Sequence, residues 1–92
     1  MSKLPPELEN SLASYRKARG LTQGQLAQAA RVSRQTIVAI ERGDYSPSTV
    51  LALRLALLLD TVVEQLFALP AESRKDLLQR RQQFVGMEQP DE

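Results

Sequence analysis

The chain has 92 residues, 42% hydrophobic and only 4% aromatic, which suits one small domain whose core is built from Leu, Ile, Val and Ala. With no Cys and no His, a disulfide framework, a Cys/His zinc site, a Cys nucleophile and a Ser-His-Asp triad are excluded, and no metal or cofactor is expected. Net charge is +1, yet six basic residues stand against the single acid Glu41 between Arg16 and Arg42, so the middle of the chain is a basic patch.

Taken from the amino terminus, "MSKLPPELEN" lacks the apolar run of a signal peptide, and a cytoplasmic protein is expected. Pro5-Pro6 followed by "ELENSLASYRKARG" predicts a first helix over about 6–19. Glu7 and Glu9 suit its positive end, Gly20 suits its C′ position, and Leu8, Leu12 and Tyr15 form an apolar stripe. Thr22-x-x-Gln25 is a capping box that opens a second helix over about 23–30, with Leu26, Ala27 and Ala30 inward. Ser33 caps a third helix, about 34–42, which Gly43 stops. Ile37 and Ile40 share one of its faces.

"DYSPS" is a turn, and Ser48 caps a fourth helix over about 49–59. Its longest apolar run, Leu55 to Leu59, is too short to span a bilayer. Thr61-x-x-Glu64 reads as another capping box, opening a short fifth helix through Phe67. Pro70 punctuates, and "AESRKDLLQRRQQFV" predicts a sixth helix. The reading is all-helical.

Helices two and three are joined by Arg31-Val32, too tight a gap for side-by-side antiparallel packing. They must cross steeply, as in a helix-turn-helix. From about residue 8 to 67, "LASYRKARGLTQGQLAQAA", "VSRQTIVAIERGDYSPS" and "LALRLALLLDTVVEQLF" follow in an order and spacing that resembles the phage repressor/Cro-type proteins, also called the XRE family. The resemblance implies an all-α fold: a five-helix, lambda-repressor-type helix-turn-helix domain over residues 1–69. A sixth helix at 70–85 for packing or dimerisation and a flexible tail at 86–92 complete the expected organisation. It also implies a sequence-specific regulator of transcription that binds double-stranded DNA, without enzymatic activity.

In proteins of this kind the amino-terminal residues of the third helix meet base edges in the major groove. By that resemblance Arg34 would reach O6 and N7 of guanine, and Gln35 N6 and N7 of adenine. Ala39 would meet a thymine methyl or permit close approach. Ser33 would touch a base edge and Thr36 a phosphate. Gln23, at the start of helix two, and Arg42 would hold phosphates, and Arg31 is either a third phosphate contact or an exposed turn residue. Read from the residues alone, Arg34 and Gln35 are equally a solvated surface, and Tyr45 reads more readily as a lid on the core than as a base contact. The resemblance also pairs Arg16 with Glu41 as a structural ion pair. The sequence departs from the family pattern at Arg31 and Asp60, both frequent glycine positions.

Helix four is apolar nearly all round, with Arg54 its only charge. Leu51, Leu55 and Leu58 are expected to face the core, which leaves Val50 and Leu57 on the opposite side. A helix apolar on all faces is a covered helix. Its cover is either helix six of the same chain, through Leu77, Leu78 and Phe84, or a partner subunit. A homodimer on an inverted-repeat operator, repressing by occlusion of a promoter, is the expected mode of action. The rival readings are an antitoxin that binds a toxin and autoregulates its operon, and a protein-interaction module that has lost DNA binding.

Overall fold

The computed structural model describes residues 8–85. The first described element is a strand rather than a helix: β1, Glu9–Asn10, pairs antiparallel with β2, Phe67–Ala68, placing Glu9 opposite Ala68 and Asn10 opposite Phe67. The Ser11 N–H extends this contact by donating to the Leu66 carbonyl at 2.8 Å. The first helix, α1, therefore spans Leu12–Ala18, not 6–19; positions 6 and 7 of the expected helix lie outside the described residues. Asn10 explains the later start. Its Oδ1 accepts from the Leu12 N–H at 3.4 Å while its Nδ2 donates to the Ile40 carbonyl at 3.2 Å, so the side chain that opens α1 also ties it to the end of another helix. Asn suits such positions because its short amide competes with helical hydrogen bonding.

The next helices follow their caps. α2 spans Gln23–Ala30, with both bonds of the Thr22/Gln25 capping box formed, and α3 spans Arg34–Arg42 behind the Ser33 cap. α4 spans Thr49–Leu58 behind Ser48. Four helix ends close in the same way, with a left-handed residue whose own N–H, and that of the residue after it, donate to carbonyls of the last turn. Glycine fills that position at Gly20 and Gly43, but Arg31 (φ 64°) and Asp60 (φ 57°) fill it after α2 and α4. An L side chain there costs about 1–2 kcal/mol. The turn at Arg31 keeps its left-handed form.

The closure of α4 changes how the next helix begins. The Thr61 N–H bonds back to the Ala56 carbonyl at 2.9 Å, so Thr61 belongs to the end of α4 and does not cap the next helix. The expected Thr61/Glu64 capping box is not made. α5 is a single turn, Val63–Leu66, entered through extended Val62 without a side-chain cap, and Phe67 lies in β2. α6 runs Ala71–Arg81 and continues as a 3-10 turn over Gln82–Phe84. The expected tail at 86–92 lies outside the described residues.

The core joins all five amino-terminal helices. Leu12, Leu26, Ile37, Ile40, Leu55, Leu59 and Leu66 are fully buried, with Leu51 and Phe67 beside them and Leu8 and Tyr15 against the edge. Leu58, expected inward, is exposed and Leu59 takes its place. The buried positions 51, 52, 55, 56 and 59 centre on one face, and 58 lies about a quarter-turn from that centre. α6 buries none of its residues. Helix six thus leaves the outer face of α4 uncovered within its own chain: Val50 is 58% and Leu57 82% exposed.

Candidate nucleic-acid interface

The amino termini of α2 and α3 lie side by side because the three-residue connection, Arg31 to Ser33, turns the chain sharply at left-handed Arg31. At α3 the Ser33 Oγ accepts from the Thr36 N–H at 3.1 Å and shares a hydrogen bond with Thr36 Oγ1 at 3.0 Å. Ser33 and Thr36 thus serve the helix start itself. The next two side chains, Arg34 and Gln35, project outward and are exposed. Gln35 makes no hydrogen bond within the described residues. Arg34 is different: its Nη2 donates to Gln23 Oε1 at 3.1 Å.

Gln23 is the junction of a four-residue chain. Its Oε1 accepts from Arg34 while its Nε2 donates to Glu41 Oε1 at 3.0 Å. Glu41 in turn accepts two bonds from the Arg16 guanidinium, Nε to Oε2 at 2.7 Å and Nη2 to Oε1 at 3.1 Å. Arg16 Nη1 completes the set by donating to the Leu21 carbonyl at 2.8 Å. Arg16, Glu41, Gln23 and Arg34 therefore run from the α1–α3 junction, where the ion pair is more than nine-tenths buried, out to the exposed start of α3. Burial pushes the Glu41 carboxyl up, but hydrogen bonds from Arg16 and Gln23 and the positive charges of Arg16 and Lys17 outweigh it and hold the pKa below the usual carboxylate value. The Glu41 hydrogen bond, working against desolvation, raises that of Arg16.

This arrangement revises how Gln23 is seen. Both the side chain and the backbone N–H were expected at a phosphate, and in the structure both ends of the amide are engaged with protein. What remains free at the start of α2 is backbone. The Thr22 N–H is satisfied by Gln25 Oε1 and the Gln25 N–H by Thr22 Oγ1, while the Gln23 and Gly24 N–H groups have no partner among the described residues. They border a concavity lined by Arg16, Gly20, Leu21, Thr22, Gln23, Gly24 and Arg34. Two free donors at the positive end of a helix, beside a guanidinium, suit an anion.

On the other side of Arg34 a shallow hollow is lined by Ser33, Gln35, Thr36, Ala39, Asp44 and Tyr45. Ala39, half-buried, forms its floor one turn beyond Gln35. Tyr45 is 49% exposed and stands apart from the core cluster, so it is a wall of this hollow and not a lid on the core. Arg42 is exposed at the last turn of α3. Arg31 is brought elsewhere: it lies with Ala29, Ala30, Arg54, Leu57 and Leu58 beside the outer face of α4. Sequence reasoning missed the links of Gln23 to Arg34 and Glu41, and the Asn10 tie to α3. The available signal was the placement of Gln23 and Arg34 as first residues of two abutting helices.

Among the described residues no cluster of acidic side chains is arranged to hold a metal ion, and no helix is long and apolar enough to cross a membrane.

A family profile described as helix-turn-helix matches residues 12–64, a span that holds α1 to α4, the first two residues of α5 and every side chain implied to touch DNA. An uncharacterized HTH-type transcriptional regulator of Methanocaldococcus jannaschii is 45% identical over 60 residues, which cover 65% of this chain and 91% of that relative. A second, from Methanothermobacter thermautotrophicus, is 45% identical over 65 residues, covering 70% and 94%. Among solved structures, the restriction-modification controller protein C.AhdI from Aeromonas hydrophila matches with a TM-score of 0.56 at 35% identity, over 59% of this chain and 82% of that one. The SinR protein/SinI protein complex contains a chain that matches at a TM-score of 0.58 and 26% identity, over 83% and 80%.

Proposed function

The chain belongs to the XRE (Cro-type) helix-turn-helix family of DNA-binding transcriptional regulators, and on that premise we propose that it is a cytoplasmic repressor that seats α3 in the major groove and binds an inverted-repeat operator as a homodimer. Arg34 and Gln35 read base edges, with Ser33 beside them. Ala39 and Tyr45 shape the hollow that a thymine methyl enters. The free N–H groups of Gln23 and Gly24 take one phosphate, Thr36 and Arg42 flank the groove, and Arg16 with Glu41 holds the frame without touching DNA. Repression is by occupancy of a promoter, and no chemical step or cofactor is involved.

The observation that carries this reading is the exposed, capped start of α3. There Arg34 is steadied by Gln23 and Gln35 is left free for an outside partner. A bland solvated surface does not require the buried ion pair to extend through Gln23 to that one arginine. The dimer draws its support from the bare apolar face of α4 and from the need for two half-sites about one helical turn apart.

Selection of bound duplexes from a random pool tests it. Wild type is expected to enrich a two-fold symmetric sequence with half-site centres about 34 Å apart. Arg34→Ala, removing one bidentate base contact of about 1–3 kcal/mol from each half-site, should weaken the best site by roughly 30-fold or more and relax one base pair per half-site. A pool that yields no common sequence rules the reading out.

A further inference from the structure

The hollow beyond Arg34 holds a charge of the wrong sign for a phosphate. Among the described residues that line it, Asp44 alone is charged, and it borders the same concavity as Gln35, Ala39 and Tyr45. The backbone fixes its place. Left-handed Gly43 turns the chain back, and the Asp44 N–H donates to the Ala39 carbonyl at 2.9 Å. Residue 44 is thereby held against the last turn of α3 and is exposed there.

Aspartate suits a turn of this kind whatever it faces. Turn chemistry does not require a carboxylate beside Gln35, however, because asparagine serves the backbone as well without repelling DNA. Duplex DNA is a polyanion, so a carboxylate on the surface that meets it weakens binding to every sequence unless a donor answers it. A carboxylate only accepts hydrogen bonds, and the major groove displays two kinds of donor, N4 of cytosine and N6 of adenine. Adenine sets its N7 acceptor beside that donor, which repels the second carboxylate oxygen, and guanine displays acceptors alone. Cytosine offers N4 with no acceptor on the same base, and it is the base an aspartate suits best.

Asp44 keeps an interaction of its own within the chain, and two carboxylate oxygens with about four lone-pair sites can accept a base amine as well. Gln35 and Ala39 stand about 6 Å apart along α3, against about 3.4 Å between stacked base pairs, so the hollow is broad enough to border more than one pair.

We propose that Asp44 reads cytosine: its carboxylate accepts from the N4 amine of a C·G pair next to the pair read by Gln35, while its charge rejects guanine and loosens the hold on unrelated sequence. This rests on the reading above, in which α3 lies in the major groove, and it adds a specificity-determining residue outside the helix.

Selection from a random pool with the full chain, followed by titration of single-base variants of the selected site by fluorescence anisotropy, tests the assignment. Wild type should enrich C·G beside the adenine read by Gln35, and guanine in place of that cytosine in one half-site should weaken binding at least about fivefold. Asp44→Asn suits the turn equally and carries the donor and acceptor that match adenine. It should fold as wild type by circular dichroism, move the preference at that position from cytosine to adenine, and bind random duplex more tightly. Asp44→Ala should show no preference there. Both variants should keep the wild-type preferences at the pairs read by Arg34 and Gln35. If Asp44→Asn selects the same bases as wild type at every position, Asp44 is a turn residue and the assignment is overturned, while α3 in the groove stands. If wild type selects no common sequence, base reading by α3 falls and the cytosine contact falls with it.

Discussion

Replacing Glu41 by Ala removes the acceptor for three hydrogen bonds at once: two from Arg16 and one from Gln23. The Arg16 guanidinium stays buried with only the Leu21 carbonyl as partner. Breaking a buried pair by deleting one member costs about 3–5 kcal/mol, because the other charge remains without compensation. The surviving bond to Leu21 places the effect at the lower end, about 3 kcal/mol. A chain of this size has roughly 5–14 kcal/mol in total, so the loss is a large fraction. Each kcal/mol moves the melting temperature of a 60–100-residue domain by about 4–8 °C, which gives a fall of roughly 12–24 °C by calorimetry at pH 7.

Two controls separate the ion pair from a general packing defect. Because the folded pKa of Glu41 is depressed, its contribution to stability is present above the unfolded-state pKa and lost as pH falls through the folded value. Wild type should therefore lose stability on acidification, and the gap between wild type and Glu41→Ala should narrow as pH falls through and below the usual carboxylate range. The double variant Arg16→Met/Glu41→Leu, with both charges gone, should regain most of what the single variant loses. A melting temperature for Glu41→Ala within a few degrees of wild type, or a double variant worse than the single one, refutes the reasoning.

Gly20 and Gly24 make a matched contrast. A Cβ on Gly20 meets nothing within 4 Å but must adopt φ of +71°, so Gly20→Ala should cost about 1 kcal/mol in stability. A Cβ on Gly24 meets only Thr22 Oγ1 at 3.9 Å on helical backbone, so Gly24→Ala should not destabilise the fold, yet should weaken duplex binding by crowding the phosphate seat. Equal DNA affinity for Gly24→Ala and wild type, measured by fluorescence anisotropy, places the phosphate elsewhere. With about six phosphates neutralised, log K should fall against log salt with a slope near −5, and a slope near zero contradicts the basic patch.

What the sequence disclosed about this fold tracks how local each cause is. Thr22, Ser33 and Gly43 fixed the ends of α2 and α3 because a cap is a bond between residues three apart. β1 was not legible, since two residues carry no periodicity and their partner lies at Phe67–Ala68, far along the chain. The Thr61-x-x-Glu64 pattern misled for a related reason: the same Thr61 amide was already used in closing α4. Leu58 and Leu59 were interchanged because a run of three leucines conceals its own phase. At the interface, the residue types at 34 and 35 were legible from the resemblance, whereas the hold of Gln23 on Arg34 depends on how two helices cross. The bare state of α6 belongs to the same class, because amphipathic spacing says that a helix has a face without saying what meets it.

The hold on Arg34 makes the two side chains proposed to read bases unequal. Fixing an arginine costs up to about 2 kcal/mol of rotamer entropy, and in this chain part of that ordering precedes DNA because Gln23 already positions the guanidinium. The bond is exposed and neutral on one side, so it is worth about 1 kcal/mol, enough to favour the held position several-fold without locking it. Gln35 has no such support. Gln23→Ala keeps the backbone N–H that faces phosphate but removes the support, so its effect should be positional. Discrimination at the base pair read by Arg34 should fall about fivefold, while discrimination at the pair read by Gln35 holds. Titrating single-base variants of the selected site measures both ratios directly. Uniform weakening across all positions would mean that Gln23 serves only the phosphate, and that Arg34 finds its base without help from the protein.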